Sequence, residues 1–271
     1  MKLELGPVGV TTAFGDWESV VSAAPELEGI GYSTIWLGGD LLRDLDRPAE
    51  ILRVTRSIPV ATCVLPVVRY SADDVAGLYT RLEAAHPGRF VAGMGGAHGP
   101  RPLTTLREYF DRMEAIPVGR RMLAAMGPRM LKLAGERTAG AMPMFATPAY
   151  TAQARARLGP SRTLVVHQCV CLESDPARAR GVARGLVEEM RVVAGYPAQF
   201  RRLGFTDQEV DELADRLVDG LVYWGAPDSV AARMREHLAA GADQVSVTAL
   251  SGDGSLPLSQ WRQLAQVLLT P

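Results

Sequence analysis

The 271-residue chain has only three cysteines, Cys63, Cys169 and Cys171, an odd number set in apolar surroundings. That excludes a disulfide framework as the basis of its stability. Cys169 and Cys171 stand two apart in a strand-like run and share a face, but no second pair completes a zinc site. The four histidines, His86, His98, His167 and His237, also lack metal-ligand spacing, so no metal is expected. The opening residues, MKLELGPVGV, contain no long apolar segment, which argues against a signal peptide or membrane span and for a cytoplasmic protein. A basic stripe is missing too: net charge is −1 with both signs interspersed, so there is no nucleic-acid footprint. Low-complexity segments and short-period repeats are absent, which excludes a solenoid.

What remains is ordinary globular composition, 47% hydrophobic and 22% charged, enough for a large core in one domain or two. Along it, short apolar runs alternate with segments of helical periodicity. Strands are expected at 6–12, 33–37, 58–65, 90–94, 121–126, 141–146, 163–172 and 244–250. Helices are expected between them, including 128–137 and 148–158. Several strand runs are apolar throughout, as suits strands buried on both faces. The regularity breaks at 195–225, where an interrupted stretch precedes a helix from Asp207 to about Val222; its periodicity needs a neighbour, so it reads as an insertion within one barrel. Eight alternations point to a closed parallel (β/α)₈ TIM barrel, with an open doubly wound sheet as the alternative.

A barrel places its active site at the C-terminal ends of its strands. Three expected strands end in glycine: Gly38-Gly39, Gly95-Gly96 and Gly127. Glycine there either lets backbone approach a ligand or serves a tight turn. After Gly127 the helix opens with Pro128, Arg129, Met130 and Lys132. Proline suits that first position, but cations in the first turn oppose the helix dipole. Gly127-Pro128-Arg129-Met130 is therefore either a phosphate seat, where an anion reverses that penalty, or an ordinary helix start with solvated charges. Trp36 would either wall the pocket or lie in the core.

Three stretches extend the reading: Glu28 to Leu37 (EGIGYSTIWL), His86 to Phe90 (HPGRF) with Gly93-Met94-Gly95-Gly96, and Glu236 to Asp243 (EHLAAGAD). Together they resemble the bacterial luciferase-like monooxygenase superfamily. Within it, Leu123 to Ala141 (LAAMGPRMLKLAGERTAGA) looks like the actinobacterial branch of coenzyme F-420-dependent oxidoreductases. The resemblance implies a TIM barrel with an insertion before the last strand, often a homodimer, holding a flavin or deazaflavin at the mouth. It also implies a phosphate near the helix after strand five, at Gly127 to Met130, with Gly95 and Gly96 among the cofactor-binding residues. A non-prolyl cis peptide or bulge behind the ring maps to about Thr62-Cys63-Val64. On this reading the cofactor carries the chemistry. His98 is the first acid/base candidate because its ordinary pKa lies near neutrality. Asp40 is a weaker one, since it also suits a cap.

The chain departs from the branch pattern at Met142 and Met144, where relatives carry a His and a Tyr, and at Ala149-Tyr150, where they carry Glu-His. Methionine neither transfers protons nor binds phosphate. Three readings follow: hydride transfer between coenzyme F-420 and a small organic substrate, an FMN-dependent monooxygenase, or a degenerate barrel that binds without turnover.

Overall fold

The computed structural model describes residues 2–269. The chain alternates as expected through β1 (Val8–Thr12), α1 (Trp17–Gly29), β2 (Ile35–Gly38), α2 (Arg47–Val54), β3 (Val60–Cys63), β4 (Leu65–Pro66), α3 (Ala72–Ala85) and β5 (Phe90–Gly95). It continues with α4 (Pro102–Asp111), β6 (Arg121–Leu123), α5 (Pro128–Arg137), β7 (Gly140–Ala141), α6 (Pro148–Leu158) and β8 (Thr163–Cys171). Four helices follow, α7 (Pro176–Arg191), α8 (Tyr196–Arg202), α9 (Asp207–Asp211) and α10 (Asp215–Leu221), and then β9 (Val222–Trp224). α11 (Pro227–Ala239), β10 (Gln244–Ala249) and α12 (Leu258–Leu268) complete it.

All strand pairings are parallel, in the order β1-β2-β3-β5-β6-β7-β8-β10, and β10 returns to β1 to close an eight-stranded TIM barrel. Two further strands lie outside that ring: β4 prolongs β3 beside β5, and β9 pairs with the end of β8. An open sheet is thereby excluded. The lumen is packed with Leu5, Trp36, Ala61, Val91, Met122, Met142 and Val165. Trp36 is fully buried there and donates to Gln244 Oε1 at 2.7 Å, so it belongs to the core.

Several expected boundaries shift for local reasons. The third strand breaks at the Cys63–Val64 peptide, which is cis, at the place the resemblance implied. The fifth ends at Leu123, before the 121–126 run does. The sixth shrinks from 141–146 to Gly140–Ala141 plus one bridge between Met144 and His167. Pro143 has no N–H to extend the ladder, and Phe145 turns left-handed at φ 51°. The helix expected over 207–222 is split by Leu213, also left-handed at φ 49°. α7 packs on α10 and α8, joining 195–225 in one helical layer over the barrel mouth. Phe200, Phe205, Val210, Leu217, Val218 and Leu221 of that layer bury their side chains against Phe145, Cys169 and Leu250 of the barrel.

The stretches that carry the family resemblance tie the opposite end of the barrel. Glu28 accepts the backbone N–H groups of Arg56, Ser57 and Ile58 at 2.6–2.8 Å, just before β3. Burial alone would raise its pKa, but those three donors outweigh it and hold it at about 2. Arg89 donates to the carbonyls of Leu52, Thr55 and Ile58, just before β5. Asp243, just before β10, accepts Leu164 N at 2.8 Å and pairs with Arg155 at 2.5 Å. His237 is fully buried, with Nδ1 2.8 Å from Thr151 Oγ1 and Nε2 2.8 Å from the Tyr223 hydroxyl.

Candidate active site

The mouth is formed where the strands end and the helical layer covers them. Cys63 and Val64 are half-buried at the break between β3 and β4. A Cβ on Gly38 would lie 3.0 Å from the Cys63 carbonyl oxygen, and one on Gly95 would lie 2.9 Å from Ala124 Cβ. Both glycines thus let neighbouring strand ends close on each other. Gly96 takes a left-handed turn at φ 74°. Thr62 has its hydroxyl engaged within the wall, donating to Gly93 O at 2.9 Å and accepting Gly93 N at 2.8 Å.

Beneath Cys63 runs a polar file that the sequence reading did not single out. Thr11 Oγ1 lies 3.1 Å from His167 Nδ1 and 2.7 Å from Ser246 Oγ. Burial pushes the Cys63 thiol up to about 12, only partly offset by a hydrogen bond from Thr11. His167 stands edge-on to Trp36 with ring centroids 4.9 Å apart, and burial depresses its pKa to about 3. It is a neutral histidine inside the barrel. The available signal was alternation: His167 and Cys169 share the inward face of the longest strand.

His98 follows β5 on an exposed loop, and its Nε2 would be 3.8 Å from a Cβ on Gly96. No hydrogen bond joins it to another of the described residues. Asp40 lies in the 3₁₀ turn Gly39–Arg43 after β2, and its side chain falls outside what is described. The backbone therefore puts both at the mouth end of their strands.

The start of α5 is the most polarised part of the site. Gly127 is its N-cap and offers no capping side chain, while Pro128 and Arg129 are exposed and Met130 is half-buried. The first-turn N–H groups of a helix have no partner within it, so they are left to solvent or to an anion. Tyr150, in the first turn of α6, donates its hydroxyl to the carbonyl of Met126, immediately before Gly127. Burial pushes that phenol up to about 12, although Gln199, Arg202 and Arg157 nearby pull it down. From above, Arg202 of α8 lays its guanidinium against Gly127, 3.5 Å from the place of a Cβ. Gln199, one turn earlier, is fully buried against Tyr150 with neither amide atom in a well-formed hydrogen bond.

The two departing methionines separate in role. Met142 is buried, with its methyl 2.7 Å from where Gly93 would carry a Cβ, so it fills the lumen below the mouth. Met144 accepts from the Tyr196 hydroxyl at 3.5 Å. Tyr196 in turn packs edge-on to Phe145, with centroids 5.6 Å apart. α8 therefore lies across the mouth, from Met144 at one end to Gly127 at the other. Open clefts of about 710 Å³, lined by Asp16, Ser19, Asp253 and Leu256, and of about 470 Å³, lined by Cys171, Arg178, Val182 and Leu250, include none of the expected site residues. Asp16 and Asp253 there already hold Ser19 and Ser255.

Among the described residues no group of three or more His, Cys, Asp and Glu side chains could hold a metal ion, and no helix is long and apolar enough to cross a membrane.

No family model and no curated protein matches the chain. Solved structures do match over almost the whole length. A coenzyme F-420-dependent tetrahydromethanopterin reductase from Methanopyrus kandleri is 16% identical, with 98% of this chain and 99% of that one covered and a TM-score of 0.76. A coenzyme F-420-dependent secondary alcohol dehydrogenase is 15% identical, with 98% of each covered and a TM-score of 0.73. The oxygenating component of 3,6-diketocamphane monooxygenase from Pseudomonas putida, in complex with FMN, is 14% identical, with coverage of 98% and 100% and a TM-score of 0.68. These neighbours are enzymes of the luciferase-like superfamily. At such identities the likeness establishes the fold.

Proposed function

We propose that the protein is an oxidoreductase that binds coenzyme F-420 at the barrel mouth and moves a hydride to or from a small organic substrate. The observation that carries this reading is the start of α5. An uncapped helix end, flanked by Arg129 and Arg202, concentrates unsatisfied N–H donors and positive charge where the phosphate-bearing tail of such a cofactor would lie. Two dehydrogenase and reductase neighbours use this cofactor, and they support the choice without fixing it. The residues present fit the group: the buried Gln199 amide has unused hydrogen-bonding capacity beside the same helix end.

In this reading Gly127, Pro128, Arg129 and Met130 hold the anionic end. Cys63 and Val64 form the ledge under the ring, and Gly95 and Gly96 shape the wall beside it. When bound, the deazaflavin supplies the hydride chemistry. His98, on its exposed loop, passes a proton to or from the substrate, and Asp40, in the turn after β2, is the second acid/base candidate. His167 is too deeply buried and too weakly basic to take that part. Met142 does not count against cofactor binding, because it packs in the lumen rather than on the rim.

Titration of the purified protein with coenzyme F-420 and separately with FMN, followed by fluorescence at fixed salt, tests the assignment. Tight binding selective for the deazaflavin is expected. His98→Ala should then leave binding unchanged and slow turnover about 10²–10⁴-fold. FMN preference would replace the reading with a monooxygenase, and binding of neither would point to a barrel without turnover.

A further inference from the structure

We propose that α8 is the movable wall of an oxyanion seat, in which Arg202 and Gln199 close on an anion held at the start of α5. Binding the anion and covering the mouth are then one event. The identity of the anion as a cofactor phosphate rests on the function proposed above, whereas the place of the seat does not.

Three features converge. The α5 end has no capping side chain, and the Tyr150 hydroxyl beside it is already committed to Met126 O, so the helix N–H groups keep free valence. Gln199 of α8 is fully buried beside Tyr150 with neither Oε1 nor Nε2 in a well-formed hydrogen bond, an arrangement that costs free energy until a better partner arrives. Arg202 sits against Gly127, bringing a guanidinium to the positive end of a helix dipole. No carboxylate pairs with it among the described residues. An oxyanion between the two satisfies the N–H groups, the amide and the guanidinium at once. A phosphate monoester or diester has the charge and the acceptor count to do this.

The same segment is built to move. α8 spans seven residues and is bounded by Gly195 at φ 102° and Gly204 at φ 88°, the second with nothing within 4 Å of a would-be Cβ. Rotation about those two points would lift Tyr196, Gln199 and Arg202 together. What holds it down is mainly apolar packing: Phe200 is fully buried beside Phe145, with the rings of Phe145, Tyr196 and Phe200 5.6–6.2 Å apart, and the polar ties are one weak hydroxyl-to-sulfur bond and the exposed Arg201–Asp207 pair.

Hydrogen exchange of the α8 amides, measured by mass spectrometry with inorganic phosphate or with chloride at equal ionic strength, tests the proposal. Phosphate should slow exchange at residues 196–204 and leave α12 unchanged. Arg202→Ala should weaken phosphate binding by about 10-fold or more while the circular dichroism stays native. Gln199→Leu should slow α8 exchange without phosphate and remove most of the added protection. If phosphate binds equally well to Arg202→Ala, or binds without protecting α8, the proposal is overturned; failure of phosphate to bind the wild type overturns it as well. Repeating the series with coenzyme F-420 and FMN separates the two readings. Arg202-dependent protection by phosphate with no binding of either cofactor would retain the seat and discard the proposed function.

Discussion

The two ends of the barrel are held in different ways. Where the strands begin, charged side chains are fully used: Glu28 takes three backbone N–H groups, Arg89 reaches three carbonyls, and Arg155 with Asp243 joins α6 to the starts of β8 and β10. Where the strands end, Gln199 is buried without a well-formed hydrogen bond, the α5 N-terminus is uncapped, and the covering helices are held by apolar packing, with ion pairs only on their exposed face. One end is saturated and the other is left with unspent valence. In a barrel, stability belongs to the first kind of end and ligand binding to the second.

Mutations at the saturated end should break that contrast most severely. Asp243→Ala removes the partner of Arg155 and the acceptor for Leu164 N, both partly buried. Stability should fall by about 3–5 kcal/mol, read as a lower midpoint in urea with an unchanged slope. A loss under about 1 kcal/mol would mean that the clasp is ornamental.

The next effect lies in the barrel wall and depends on pH. His237 is neutral in the fold, its pKa pushed down to about 4 by burial and then by Arg233, against an ordinary 6.5 when unfolded. Between those values the unfolded chain binds a proton that the folded chain does not. Its contribution is therefore complete above about 6.5 and is lost as pH falls toward 4, on the order of 3 kcal/mol. Glu28 acts lower, losing its contribution as pH drops from about 4.5 toward 2. Denaturation profiles of His237→Gln should become shallower in the upper window, where His167, depressed to about 3, keeps its own share, and keep the lower one; an unaltered upper window would refute the assignment.

The smallest effect belongs to the covering layer. Arg180 and Arg184 both reach Asp215 on its outer surface. Asp215→Asn should cost no more than about 1 kcal/mol, because exposed pairs are worth little. Raising salt should reproduce that change in amide exchange of α10 and leave β1 and β5 untouched.

Much of this contrast was legible in the sequence, though not evenly. Alternation of apolar runs and helical periodicity located the barrel, and α5 and α6 begin and end where the pattern predicts. The stretches that carry the family resemblance contain Glu28, Arg89, His237 and Asp243, which work as clasps. They reveal the fold far better than the activity. Two-residue β7 was overextended because apolar composition continues through Pro143 and Phe145 after the ladder has lost its donor. The rim escaped because it is assembled from distant parts: Arg202 meets Gly127 across 75 positions, which no local pattern announces. The sequence left strand-end glycines open between ligand approach and tight turns, and it did not show that Gly38 and Gly95 also make room for Cys63 and Ala124.

The short strand β9 bears on how this chain could be trimmed. It lies along Cys169, Val170 and Cys171 on the side of β8 that β7 leaves bare. A minimal scaffold made by deleting the helices from Pro176 to Trp224 would remove β9 and expose an apolar strand edge. Such an edge templates further strands. The engineered barrel would be expected to self-associate unless a charge or a proline were placed on that edge, so the covering layer also serves as the insulation of the strand that leads into it.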